Sequence, residues 1–84
     1  MATVMPSVLY TLVVICSERS NRVAHADATL VDDLGLDSLD CAEIGMVIES
    51  TWPIIGEFEY DAASMSTVRD VAVAVEAKLR LAIV

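Results

Sequence analysis

Basic residues are scarce in this sequence. Lys and Arg together number five against 13 Asp and Glu, which gives a net charge of −8 at pH 7. Nucleic-acid binders need a basic surface to neutralise phosphates, so this balance argues against a nucleic-acid partner. It favours a protein partner with a basic surface.

Cysteine is also rare, and the two cysteines, Cys16 and Cys41, both lie in apolar stretches. A disulfide-stabilised domain of this size normally has more cysteines, and no metal-ligand spacing is present. We therefore expect two core thiols, no metal site and a reducing, cytoplasmic location.

Long hydrophobic runs are absent as well. The longest, residues 8–16, has about half of the ~20 residues that cross a bilayer as a helix, and it lacks the basic flank of a signal peptide. We expect neither a membrane span nor secretion. With 84 residues, 56% of them apolar, residues 1–84 can form one compact domain, and no repeat or other sign of a stable oligomer is present, so we expect a monomer.

The first of three periodic segments covers residues 6–20. Its β-branched and aromatic content would allow a strand, but its length favours a helix. Pro6 suits a first helical turn, and Ser20 and Asn21 suit a stop.

The second segment opens at Asp37 or Ser38, either of which can cap a helix, and ends before Pro53. The third begins near Thr67, whose hydroxyl can cap the helix while Asp70 reinforces its first turn. The second helix has a core-facing apolar stripe, formed by Cys41, Ile44, Ile48 and Trp52. Val47 lies beside this stripe.

The two connections are long. In the first, 21–36, we expect Leu30, Val31, Leu34 and Leu36 to be buried over the helix ends. In the second, 54–66, residues 61–64 can form a short helical turn. The predicted fold is all-α: a small four-helix bundle of three long helices and one short helix, with a long loop between helices 1 and 2.

Acidic residues dominate the middle of the chain, where ten acids and no Lys or Arg fall between Val23 and Val68. A solvated acidic surface explains most such clusters. Here, however, the second helix also has an apolar strip outside its core stripe, formed by Leu39, Ala42 and Met46 and flanked by Asp40, Glu43 and Glu49. An exposed apolar strip with an acidic rim suits docking onto a basic partner.

Residues 34–40 read Leu-Gly-Leu-Asp-Ser-Leu-Asp, preceded by Asp32 and Asp33 and followed by an acidic, apolar helix. In this setting the chain resembles the acyl carrier protein family, whose signature is a serine in an Asp-Ser-Leu triplet at the start of its second helix. The resemblance is strongest over residues 30–52. Outside that range it rests on helix order and length.

The resemblance implies that Ser38 carries a 4′-phosphopantetheine arm from coenzyme A, with acyl groups held as thioesters on its distal thiol. It implies that Asp37 helps to hold the modifying phosphopantetheinyl transferase and its magnesium ion, while the residue alone suggests a helix cap. Acyltransferases, ketosynthases and other acyl-processing enzymes of fatty-acid, polyketide or related lipid biosynthesis are the other implied partners. The implied contact residues are Leu39, Asp40, Ala42, Glu43, Met46 and Glu49.

An acyl chain is sheltered among the helices in this reading, and the candidate lining residues are Ile44, Val47, Ile48 and Trp52. Gly45 departs from the larger apolar residue usual in similar carriers. Two interpretations are open: Gly45 widens the acyl cavity, or it permits close approach of another helix.

Enzymatic catalysis is not expected, because the sequence has a single histidine, His25, and no glycine-flanked nucleophile elbow around Ser38. Two alternatives to an acyl carrier stay open. One is an unmodified acidic helical adaptor for a basic protein. The other is a peptidyl carrier domain of nonribosomal synthesis, which generally depends less on an acidic second helix.

Overall fold

A computed structural model describes residues 6–54, 58 and 65–83. Within these ranges the chain forms no strand and three helices: α1 (Pro6–Ser20), α2 (Ser38–Thr51) and α3 (Val68–Ile83). The predicted all-α class is therefore confirmed. The predicted short helix at 61–64 lies outside the described residues.

Helix α1 has the bounds that its terminal residues predict. It begins at Pro6, and it ends before Asn21, which adopts the left-handed backbone conformation with φ 56° that commonly terminates helices. Its buried side chains are spaced four residues apart, at Val8, Leu12 and Cys16. This helical spacing, rather than β propensity, decides the element type.

Both remaining helices begin with reciprocal caps. Helix α2 follows Asp37, and α3 follows Thr67, whose hydroxyl accepts a hydrogen bond from the Asp70 amide at 3.1 Å. The Asp70 carboxylate accepts one in return from the Thr67 amide at 3.0 Å. At the other end of α2, Trp52 is extended, as expected for a residue before Pro53.

The long connection between α1 and α2 is bonded to the start of α3. The amides of Val68 and Arg69 donate to the carbonyls of Ala28 (3.1 Å) and Ala26 (2.8 Å), and the Leu30 amide donates to Ser66 (2.9 Å). An isolated antiparallel bridge pairs residue 29 with residue 67. The carbonyls of Ala28 and Ala26 thus supply acceptors for the first amides of α3, which no helical carbonyl can reach.

The connection contributes three leucines to the core. Leu30, Leu34 and Leu36 are buried as predicted, but Val31 is 57% exposed, so the expectation that it is buried was wrong. The amide of Gly35 donates to the Val31 carbonyl, which closes a turn at this point. Leu30 and Leu34, four residues apart, take the inner side of that turn and leave Val31 outside.

Helix α1 packs against both α3 and α2, and the core lies between the three helices. Cys16 and Cys41 are buried in it, as the sequence predicts. Over residues 68–79, the part of α3 whose side chains are described, the buried apolar residues are Val68, Val71, Ala72 and Val75. Across the described part of the chain, no helix combines the length and apolarity needed to cross a membrane.

Candidate functional site

Ser38 is the first residue of α2 and is exposed. Its neighbour Asp37 is the N-cap, with an Oδ1 that accepts a hydrogen bond from the Asp40 amide at 2.8 Å. Asp40 Oδ2 in turn accepts from the Asp37 amide at 3.1 Å. The sequence allowed either Asp37 or Ser38 as the cap; the structure assigns that role to Asp37, and the Ser38 hydroxyl has no hydrogen bond to a described residue.

The segment before Ser38 is held from both sides. The side chain of Leu36 is buried, and its amide donates to the Leu30 carbonyl at 2.9 Å. Gly35 has φ 65°, a conformation that other L-residues seldom adopt. The guanidinium of Arg22 lies beside Gly35, 3.4 Å from where a Cβ would be, and donates to the Asp33 carbonyl at 2.9 Å. This anchoring fixes the orientation of Ser38 at the protein surface.

The neighbours of Asp40 favour the ionised form of its carboxyl. The hydrogen bond from the Asp37 amide is the largest cause that lowers the pKa of its carboxyl, and the nearby Arg19 lowers that pKa further. The start of α2 therefore carries a fixed negative charge at neutral pH.

The apolar strip of α2 lies at the surface. Leu39 and Met46 are 64% and 66% exposed, and Ala42 is exposed between them. A shallow depression with a volume of about 670 Å³ is lined by Leu39, Glu43, Met46, Val47 and Ser50. Large exposed apolar side chains grouped on one helix face indicate an interaction surface. The structure thus brings together Leu39, Glu43 and Met46, with Glu49 exposed further along α2.

Two of the predicted docking acids already have a partner within the protein. Arg19, in the last turn of α1, forms ion pairs with Asp40 (Nε to Oδ1, 3.3 Å) and with Glu43. Sequence reasoning missed Arg19, because the pair depends on how α1 packs against α2. The signal in the sequence was a single basic residue in the last turn of α1.

The candidate acyl-lining residues divide into two groups. Ile44 and Ile48 are buried in the core, and Trp52 is half-buried against it. Val47, in contrast, is 42% exposed. Ile44 and Val47 meet at a cavity of about 340 Å³ between α1 and α2, whose other lining residues are Ile15, Glu18, Arg19 and Glu43.

Gly45 is buried, and the space beside it is filled. A Cβ at this position would lie 2.9 Å from the carbonyl oxygen of Phe58. The structure therefore supports close approach rather than a wider cavity at this point, although the approaching group is the backbone of Phe58, which is not part of a helix. No group of three or more His, Cys, Asp or Glu within the described ranges could hold a metal ion.

Two curated proteins resemble the chain. Acyl carrier protein 3 of Ralstonia nicotianae is 43% identical over 56 residues, which are 66% of this chain and 62% of the relative. An acyl carrier protein of Bdellovibrio bacteriovorus is 43% identical over 53 residues, which are 63% of this chain and 67% of the relative. The chain thus spans under two thirds of the Ralstonia protein. No protein-family model and no solved structure matches it significantly.

Proposed function

Because the chain belongs to the acyl carrier protein family, we propose that its Ser38 hydroxyl bears a 4′-phosphopantetheine arm through a phosphodiester. Proteins of this family are carriers and not enzymes. The arm, when bound, supplies a thiol that holds acyl groups as thioesters. The observation that carries the proposal is the placement of Ser38, exposed and fixed in direction at the start of α2.

The surroundings of Ser38 suit a phosphodiester. Within the described structure, the amides of Ser38 and Leu39 have no acceptor, and helix N-termini favour anions. The Asp37 carboxylate is turned towards the Asp40 amide, which leaves those two amides accessible. Asp37 has a second role in this proposal, which is to contact the phosphopantetheinyl transferase and its magnesium ion.

The apolar strip and its acids are the proposed docking surface, formed by Leu39, Asp40, Ala42, Glu43, Met46 and Glu49. Its partners are the transferase, acyltransferases, ketosynthases and other enzymes with basic surfaces. Leu39 and Met46 supply the apolar centre, because their exposure leaves most of their area available for burial. The acids speed encounter with a basic partner.

Acyl chains are sheltered along α2 in this proposal, by Ile44, Val47, Ile48 and Trp52. Val47 stands at the surface and Ile48 is fully buried, so an acyl chain that passes inward has to part the packed helices. A short helix at 61–64, a single domain over residues 1–84, a cytoplasmic location and a role in fatty-acid, polyketide or related lipid biosynthesis are further parts of the proposal.

The attachment site is tested by intact mass after incubation with coenzyme A, magnesium and a broad-specificity phosphopantetheinyl transferase. We expect one added phosphopantetheine on the wild type and on Ser50→Ala, and none on Ser38→Ala. Ser50 is a matched control, because it is an exposed serine on the same helix. Labelling of Ser38→Ala would refute the attachment point, and an unlabelled, folded wild type would favour the unmodified adaptor.

The docking surface is tested with the same transferase. Met46→Ser should reduce kcat/KM severalfold, because it removes exposed apolar area from the strip. Val73→Ser is the control, since Val73 is an exposed apolar residue on α3. Reversing the charge of Glu43 should weaken modification most at low ionic strength, where exposed charges are least screened. Equal effects of Met46→Ser and Val73→Ser would contradict this surface.

A further inference from the structure

Arg19 is a basic residue that binds the proposed docking surface from within the same protein. Its Nε lies 3.3 Å from Asp40 Oδ1, and its terminal nitrogen contacts the Glu43 carboxylate. We infer that Arg19 is a displaceable internal ligand, which occupies both carboxylates in the unbound protein and is replaced there by an Arg or Lys of the partner. This inference rests on the proposed docking function.

The two ion pairs are weak enough to be exchanged. The side chains of Arg19, Asp40 and Glu43 are 39%, 28% and 38% exposed, so water screens each contact. Ion pairs of this exposure typically change an equilibrium constant by about 1.5- to 5-fold. A partner's basic side chain can therefore take over the same carboxylates without leaving a buried charge unpaired.

Removing Arg19 from Asp40 leaves the start of α2 intact. The two carboxylate oxygens of Asp40 have separate roles, since Oδ1 faces Arg19 and Oδ2 accepts the hydrogen bond from the Asp37 amide. The Asp37 carboxylate likewise keeps its bond to the Asp40 amide. Exchange of Arg19 for a partner's side chain thus preserves the reciprocal cap that positions Ser38.

The same exchange enlarges the docking surface. Arg19 and Glu43 line the cavity of about 340 Å³ between α1 and α2, together with the apolar side chains of Ile15, Ile44 and Val47. Glu43 and Val47 also line the depression that contains Leu39 and Met46. When Arg19 leaves, an apolar side chain next to the partner's basic residue can enter the cavity. The expected partner therefore has Arg or Lys flanked by large aliphatic residues.

The first test compares Arg19→Gln with Arg69→Gln in the transferase assay. Both variants lose one positive charge, but Arg69 pairs with Asp27, at 3.1 Å, and not with the docking acids. We expect KM for the carrier to fall about two- to fivefold in Arg19→Gln and to stay at the wild-type value in Arg69→Gln. Equal KM values for the two variants would overturn the inference. Thermal unfolding verifies that both variants fold.

A double-mutant cycle separates displacement from a general charge effect. In the wild type, the partner gains Glu43 only by breaking its contact with Arg19, so Glu43→Gln should have a small effect on KM. In the Arg19→Gln background Glu43 is available, and Glu43→Gln should raise KM by a larger factor. Additive effects would show that Arg19 and the partner do not compete for this carboxylate.

A synthetic amphipathic helical peptide, with leucines on one face and arginines at its edges, provides a probe independent of Ser38 modification. Titration calorimetry should show two- to fivefold tighter binding to Arg19→Gln than to Arg69→Gln. Equal affinities, or no binding to Arg19→Gln, would overturn the inference even where Ser38 is modified. If the wild type is not modified but the peptide binds the two variants as expected, only the carrier function is refuted.

Discussion

The carbonyl oxygen of Phe58 lies 2.9 Å from the position that a Cβ at Gly45 would occupy. Replacing a helical glycine by alanine usually stabilises a helix by about 1 kcal/mol. Gly45→Ala should instead lower the free energy of unfolding by about 1–3 kcal/mol, because the new methyl group overpacks against backbone. Urea unfolding would measure this, with Ser50→Ala as an exposed control on the same helix. A more stable Gly45→Ala would contradict the close approach.

The two roles of Asp37 can be separated by comparing two substitutions. Asp37→Ala removes the cap and should lower the free energy of unfolding by about 1 kcal/mol, whereas Asp37→Asn retains a good N-cap and should cost little. Both should reduce the rate at which the transferase modifies Ser38, because both remove the proposed contact to its magnesium ion. A wild-type rate for Asp37→Asn would leave Asp37 with the capping role alone.

Acid should loosen the start of α3 through Asp70. Its carboxylate accepts hydrogen bonds from the amides of Thr67 and Ser66, both at 3.0 Å, and the bond from Thr67 is the largest cause that lowers its pKa below the ordinary 3.8. A lowered pKa means that this stability is present above the unfolded-state value and is lost as pH falls through the folded-state value. The Tm of the wild type should therefore fall more between pH 5 and 2 than that of Asp70→Asn. Parallel Tm profiles would contradict this linkage.

The thiol of Cys16 should resist alkylation in the folded protein. Burial, and then the neighbouring Cys41, raise its pKa from 9.0 to about 11. At pH 8 its thiolate fraction is thereby roughly a hundredfold lower than in the unfolded chain. Intact mass after iodoacetamide treatment should show no adduct on Cys16 natively and two adducts per chain in urea.

The raised pKa of Cys16 also predicts that the free energy of unfolding falls as pH rises from 9.0 towards 11. Constant stability over that range would contradict the buried placement of Cys16.

Local signals predicted the helices well. Pro6, Asn21 and Pro53 restrict the backbone where they stand, and the two capping boxes need only residues three apart, so the sequence itself contains the information on helix ends. The stripe of apolar residues on α2 likewise predicted that Cys41, Ile44 and Ile48 are buried. The same helical geometry predicted that Ser38 stands at the start of α2 and that Leu39 and Met46 are exposed.

The features that the sequence did not predict join distant parts of the chain. The pairing of Arg19 with Glu43 depends on the rotation of α1 against α2, and the requirement for glycine at position 45 depends on the position of the Phe58 carbonyl. Val31 was expected in the core because it is apolar, yet the tight turn that buries Leu30 and Leu34 directs Val31 outward. Composition and spacing do not contain these relations, because each is set by packing.

The connection between α1 and α2 has two parts that should differ in their tolerance of inserted sequence. The backbone of residues 26–30 is hydrogen-bonded to the backbone of residues 66–69. Residues inserted there would break the hydrogen bonds that the first amides of α3 donate. Val23, in contrast, is 92% exposed, and its backbone has no hydrogen bond to a described residue. Exposed loop positions of this kind accept insertions readily. A peptide tag or fluorophore-binding sequence can therefore be grafted at Val23, which reports on the carrier without occupying either chain terminus.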